Sequence, residues 1–180
     1  TFFIVVFPMN ENETTRHDLA NRIFFRLYQC ANMLHKTGSR AVEQEGLTTQ
    51  QWAVLGALSR DSARAGMSLG DLARYLMVSR QNLSGLISRM ERDRLVQVVP
   101  DDKDRRSRLV VMTAHGQDIW QVQAQDKIHA YYEAVLGDFS VTDMTHTLHY
   151  LIRMLESMDR VDSQQLGSSD ADPEDRIPDL

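Results

Sequence analysis

The sequence predicts a mainly α-helical chain with one small β-hairpin, and three features carry that expectation. Apolar residues recur at three- and four-residue steps over most of the length, the spacing that lines them along one face of a helix. A short periodic run, a tight turn and a second periodic run follow one another between Ser68 and Met90. After them, two β-branched apolar stretches, Leu95 to Pro100 and Leu109 to Met112, flank the intensely charged loop Asp101 to Ser107, which is the pattern of a hairpin, or wing. The sum is a winged helix-turn-helix lobe plus a helical dimerisation region.

Taken in order, residues 1–17 read as an N-terminal extension or arm. The run Thr1 to Pro8 is apolar but lacks the basic flank and small-residue cleavage site of a secretion signal, and Met9 reads as a start. Residues 18–46 read as a long dimerisation helix with Ala20, Ile23, Phe24, Leu27, Ala31 and Leu34 on one side, ended by Gly46. Residues 47–112 form the winged lobe. Thr48 or Thr49 caps a helix through Leu58, and a loop runs from Arg60 to Gly66. Ser68 caps a helix of about two turns holding Leu69, Leu72, Ala73 and Leu76. A turn at Met77-Val78 leads to Ser79, which caps a helix whose narrow stripe of Leu83, Leu86, Ile87 and Met90 leaves Arg80, Gln81, Ser84, Ser88 and Arg89 outside. Residues 113–158 read as two C-terminal dimerisation helices, one capped by Thr113 and running to Gly137, the other starting at Ser140 or Thr142 and carrying Met144, Leu148, Leu151, Ile152, Leu155 and Met158. Residues 159–180, with seven acidic residues against Arg160 and Arg176, read as an acidic flexible tail.

Composition bounds the rest. With 180 residues, 42% hydrophobic and 25% charged, the chain has the balance of a soluble globular protein of one domain or two small ones, which excludes a disordered, collagenous or disulfide-built chain. No stretch approaches the roughly 18 consecutive apolar residues of a membrane helix. The single cysteine, Cys30, cannot form an intrachain disulfide, which fits a reducing compartment and points to the cytoplasm. The formal net charge is −5, yet from Arg74 to Arg108 nine basic residues face five acidic ones, so this segment is +4. Phosphate neutralisation needs only such a local positive face.

The stretches Leu47-Thr48-Thr49-Gln50-Gln51-Trp52-Ala53-Val54-Leu55, Ser68-Leu69-Gly70-Asp71-Leu72-Ala73, Val78 to Ile87, and Asp104-Arg105-Arg106-Ser107 followed by Leu109 to Gly116 resemble, in this order, the MarR family of winged-helix transcription regulators. The resemblance covers roughly residues 18 to 158. It implies a homodimer in which the first helix and the last two of each subunit interlock while the two lobes read successive major grooves of double-stranded DNA at a pseudo-palindromic operator. Ser79, Arg80, Gln81, Asn82, Ser84 and Arg89 fall where the family's recognition helix meets DNA, with Ser68, Lys103 and Arg105 counted beside them. Arginine with guanine, and glutamine or asparagine with adenine, are the pairings that major-groove edges favour. Arg106 matches the wing-tip arginine suited to a narrow minor groove, and Asp104 the aspartate that pairs with an arginine to hold the wing. One position departs from the family: Arg94 stands where glycine usually ends the recognition helix, so a left-handed cap there is strained or replaced.

The same resemblance points to a ligand-responsive repressor of aromatic-compound degradation, released from its operator by a small-molecule effector, an aromatic carboxylate. Phe25, Tyr28 and Trp52 supply flat apolar walls for it, and Arg22, Arg26 and His35 the charge or donors; Trp52 reads equally as a core aromatic and the two arginines as a solvated stripe. The alternative is a redox- or drug-responsive regulator of stress or efflux genes, but the slot of the family's sensing thiol holds Phe24, and Cys30 is misplaced for it. An architectural DNA binder without sequence preference is a third reading. Nothing indicates an enzyme, since a Gly-rich phosphate loop, an HExxH, a CxxC pair and a nucleophile elbow are all missing. No cofactor and no metal are expected, because His146 and His149 share a helix face without a third ligand beside them.

Overall fold

The computed structural model describes residues 11–102, 104 and 106–169. The elements follow the order α1 (Glu11–Ala41), α2 (Thr49–Leu58), a 3₁₀ turn (Asp61–Ala63), β1 (Met67–Ser68), α3 (Leu69–Tyr75), α4 (Arg80–Arg92), β2 (Val96–Pro100), β3 (Arg108–Met112), α5 (Ala114–Asp118), a π-helical segment (Ile119–Ala124), α6 (Gln125–Leu136) and α7 (Val141–Ser169). Among the described residues no helix is long and apolar enough to cross a membrane. Two compact units divide the chain, residues 1–131 and 132–180.

Side-chain caps start α2, α3, α4 and α5. Thr48 Oγ1 accepts from the Gln51 amide while the Gln51 side chain accepts from the Thr48 amide, so two donors at the head of α2 are satisfied reciprocally. Ser68, Ser79 and Thr113 accept from the Asp71, Asn82 and Gly116 amides. Each hydroxyl serves a donor that has no partner within its own helix.

Helices α3 and α4 both end in a Schellman turn built on a side-chain-bearing residue. Val78 N donates to Ala73 O and Met77 N to Arg74 O, with Met77 at φ 53°. Leu95 N likewise donates to Met90 O and Arg94 N to Glu91 O, with Arg94 at φ 59°. The departure noted at Arg94 therefore keeps the left-handed cap and bears its strain, roughly 1 kcal/mol for a residue with a Cβ. Thr113 Oγ1 holds the strained residue by donating to its carbonyl.

The sheet has three antiparallel strands in the order β1-β3-β2, one more than the expected hairpin, with Val98 opposite Val110 and Met67 opposite the same Val110 on the other side. Under it lies one core built from α2, α3, α4, the three strands, the π-helical segment and α6, with Val42, Val54, Leu55, Leu72, Leu83, Met90, Val96, Val110 and Ile128 among its buried members. The segment expected as one helix from Thr113 to Gly137 widens to π-helix in its middle. There Trp120 lies over α2, 3.3 Å from where a Cβ on Gly56 would be.

Two boundaries differ from expectation. Helix α1 begins at Glu11 rather than Asp18, so part of the supposed arm is helical; polar Glu11 to His17 continue the helix without any apolar periodicity to announce it. Helix α7 runs to Ser169, so the first half of the supposed flexible tail is helical too. Met158 and Val161 prolong the apolar spacing there, and Arg160 donates to Ser157 Oγ one turn back. Acidic composition signals solvation, not loss of helix. Residues 1–10 and 170–180 lie outside the described residues.

Candidate nucleic-acid interface

Helix α4 owes its orientation to its apolar stripe. Leu83, Ile87 and Met90 are 1%, 4% and 0% exposed, which turns Arg80, Gln81, Asn82, Ser84, Gly85, Ser88 and Arg89 outward. The outer face carries few internal obligations. Ser88 Oγ donates to Ser84 O and Ser79 Oγ accepts from the Asn82 backbone amide, while the guanidinium of Arg89 enters none of the ion pairs among the described residues. A Cβ at Gly85 would touch only Arg89 Nη1, at 3.7 Å, so another backbone can approach this face closely.

Ser68 stands differently. Its hydroxyl accepts from the Asp71 amide at 3.0 Å and donates to Asp71 Oδ2 at 2.7 Å, so both functions are engaged inside α3. That hydrogen bond, aided by the charge of Arg74, holds the Asp71 carboxyl below the usual carboxylate range.

In the wing, Asp104 Oδ1 accepts from the Arg106 amide at 2.9 Å, and the Ser107 amide donates to Asp104 O at 2.8 Å. Asp104 thus closes the turn on main-chain donors, its carboxylate on the Arg106 amide and its carbonyl on the Ser107 amide, and Arg106 is left exposed at the tip. Lys103 and Arg105 lie outside the described residues. Glu91, invisible as a functional residue in the sequence, ties α4 to the wing by accepting from the Val98 amide at 3.1 Å.

The residues proposed for the effector fall into two groups. Arg22, Phe25, Arg26 and Tyr28 are all exposed within two turns of α1; Arg22 lies 3.7 Å from Asp18 and Arg26 donates to Gln29 Oε1. Trp52 is instead a core residue, 8% exposed, edge-on to Tyr131 with centroids 6.0 Å apart and 3.2 Å from where a Cβ on Gly38 would lie. At a 1.5 Å rise per residue, Arg22 is roughly 24 Å along α1 from Gly38, so one copy of the chain does not bring the two groups to one pocket. His35 belongs by position to the second group, and its carbonyl accepts from Thr49 Oγ1. Sequence reasoning missed Thr37 and Tyr131, whose hydroxyls meet at 2.8 Å beside Trp52.

Cys30 is exposed on α1, and the His149 ring meets Tyr150 edge-on at 5.4 Å. Among the described residues no group of three or more His, Cys, Asp or Glu is placed to hold a metal ion.

A capped short helix, a tight turn, an outward cationic helix and a two-stranded wing define a winged helix-turn-helix DNA-binding regulator. Residues 45–107 match the MarR family model. The transcriptional activatory protein BadR of Rhodopseudomonas palustris is 70% identical over 154 residues, covering 86% of this chain and 88% of that protein. Over 110 residues, 61% of this chain and 72% of the other, the Escherichia coli homoprotocatechuate degradative operon repressor is 31% identical. The chain belongs to the MarR family, whose members are DNA-binding transcription regulators and not enzymes. Among solved structures, CouR from Rhodococcus jostii RHA1 bound to p-coumaroyl-CoA superposes with a TM-score of 0.64 at 21% identity, over 78% of this chain and 93% of that one, a likeness of fold alone.

Proposed function

We propose that the protein works in the cytoplasm as a homodimer on a pseudo-palindromic operator, and that a small aromatic acid or its thioester sets its hold on DNA at genes for aromatic-compound degradation. The observation that carries the DNA reading is the outward face of α4, where Arg80, Gln81, Asn82, Ser84 and Arg89 stand exposed over a fully buried stripe. Half-sites one helical turn apart, about 34–36 Å, suit two such helices related by a two-fold axis.

Two unpartnered apolar faces support the dimer. On α1, Leu19, Ile23, Phe24 and Leu34 are each about half exposed; on α7, Met144, Leu148, Leu151, Leu155 and Met158 recur at alternating steps of four and three, the seam of a helix that packs on another helix. A second copy of the chain covers such faces without any further partner.

The aromatic effector is supported by the company the chain keeps. The E. coli relative is named for a homoprotocatechuate operon and CouR was solved with a phenylpropenoyl thioester. On α1, Arg22 and Arg26 alternate with Phe25 and Tyr28, offering carboxylate clamps beside aromatic faces. For the direction of control we follow the relative of higher identity and take activation; repression with release by the effector, the expectation from sequence, is the second reading, favoured by the E. coli relative. Either way the ligand must bind the DNA-competent and incompetent states unequally, because equal affinity shifts nothing.

A thermal-shift screen of benzoates, hydroxybenzoates, phenylpropenoates and their coenzyme A thioesters tests this. A ligand at a hundred times its Kd adds about 2.7 kcal/mol, roughly 5–10 °C in Tm for a chain of this size, and the same compound is expected to change DNA retention in a gel-shift assay. A cationic drug or an oxidant acting where no aromatic compound does would overturn the effector assignment and leave the DNA reading intact.

A further inference from the structure

We infer that Gly70 and Asp71, at the head of α3, are positioning residues that set the base preference of Arg80. The inference rests on the reading that Arg80 meets DNA. It starts from a contact between two elements. A Cβ built on Gly70 would lie 2.7 Å from Arg80 Nη2, 3.2 Å from Cζ and 3.5 Å from Nε, so the guanidinium lies across the bare Cα of Gly70 rather than extending freely from α4. Every other residue has a side chain there and would displace it.

Beside this seat stands Asp71. Its Oδ2 accepts from Ser68 Oγ at 2.7 Å and its Oδ1 lies 3.0 Å from Arg74 Nη2. After those two partners, the positive charge of Arg80 also contributes to holding the carboxyl below its usual range. The carboxylate therefore biases where the arginine rests without a bidentate pair that would consume its donors. An arginine side chain left free on a helix surface samples many rotamers, and ordering it on the DNA costs entropy that a preset side chain avoids.

Arg80 is the first residue of α4, and the N-terminal residues of a recognition helix are the ones that reach base edges. A planar fork delivered from a fixed seat discriminates between bases by geometry; the same fork released contributes charge to any phosphate. Gly70 thus has a role beyond helix design, where glycine is less favourable than alanine. Ser68 acts one step further back. It anchors Asp71 rather than touching the nucleic acid itself.

The test is selection of the full-length protein against a library of randomised 30-base-pair duplexes, with Gly70→Ala, Asp71→Asn, Arg80→Ala and the double variant Gly70→Ala/Arg80→Ala. Gly70→Ala is expected to lower discrimination at the base pair read by Arg80 by about tenfold, the scale of one bidentate contact, with an unchanged salt slope and a melting temperature equal to or above that of the parent. Asp71→Asn, which keeps an acceptor for Ser68, is expected to act at the same base pair, and Gly70→Ala is expected to add nothing to Arg80→Ala. If Arg80→Ala leaves base preference untouched, the reading of α4 fails and this inference with it. If Arg80→Ala alters preference while Gly70→Ala does not, or if Gly70→Ala acts equally in the Arg80→Ala background, the positioning role alone is overturned.

Discussion

Leu151→Asp and Leu155→Asp are each expected to leave the protein monomeric at micromolar concentration and to abolish operator binding. Both side chains lie on the exposed seam of α7 and are 45% accessible in the single chain. A carboxylate there forfeits the burial of a leucine, about 1.5–3 kcal/mol, and places an unpaired charge against apolar neighbours. Two-fold symmetry introduces the change twice, so roughly 3 kcal/mol per copy becomes about 6 per dimer, near 10⁴-fold in the dissociation constant. DNA binding follows because a monomer makes half the phosphate contacts and spans one half-site. Light scattering reads the mass and a gel shift the DNA. A variant that stays dimeric would show that the α7 face is covered by something other than a second copy.

The second large effect is expected at Gly116. A Cβ there would fall 2.0 Å from Leu95 O, 2.9 Å from Leu95 C and 3.0 Å from Met112 Cγ, and backbone atoms cannot step aside as a flexible side chain can. The same Leu95 carbonyl accepts from the Thr113 amide at 3.1 Å, and Thr113 Oγ1 is the cap of α5 as well as the donor to the strained Arg94 carbonyl. Gly116→Ala thus separates α5 from β2, loosens the wing and leaves the left-handed turn at Arg94 unsupported. Overpacking against backbone at a joint of this kind costs about 3 kcal/mol or more, roughly 6–12 °C in Tm for a chain of this length. Calorimetry checks it, and a melting point within a degree or two of the parent would mean that α5 can shift along the sheet without loss.

Much of the winged lobe was legible because its signals are local. Thr48, Ser68, Ser79 and Thr113 are hydroxyl residues ahead of apolar periodic runs, and each is a cap in the structure. The stripe of Leu83, Ile87 and Met90 likewise told which face of α4 would point outward. What escaped depends on distance or on the absence of pattern. Strand β1 is two residues whose partners in β3 lie some forty positions away, so no alternation announces it. The polar start of α1 is helix without a stripe, and periodicity finds stripes; at the acidic end of α7 the spacing continues to Val161, but the charge there reads as a solvated tail. In the candidate sites, outward residues were found by helix geometry, whereas the seat of Arg80 on Gly70 and the anchoring of the wing by Glu91 are contacts between elements. The separation of Arg22 and Phe25 from Trp52 is of the same kind: residues that resemble one pocket in composition sit on different helices, Trp52 on α2 packing near Gly38, some sixteen residues along α1 from Arg22.

The claim on which the rest turns is that α4 reads DNA sequence through Arg80 and Gln81. Measuring affinity for every single-base variant of a selected operator, at one fixed salt concentration, with the parent, Arg80→Ala and Gln81→Ala, tests it most directly. Each variant is expected to flatten preference at one or two defined positions in each half-site by about 1–3 kcal/mol while the profile elsewhere stands. Variants that weaken all sequences alike, or that leave the profile of the parent intact, would contradict the assignment of α4 as the reading helix.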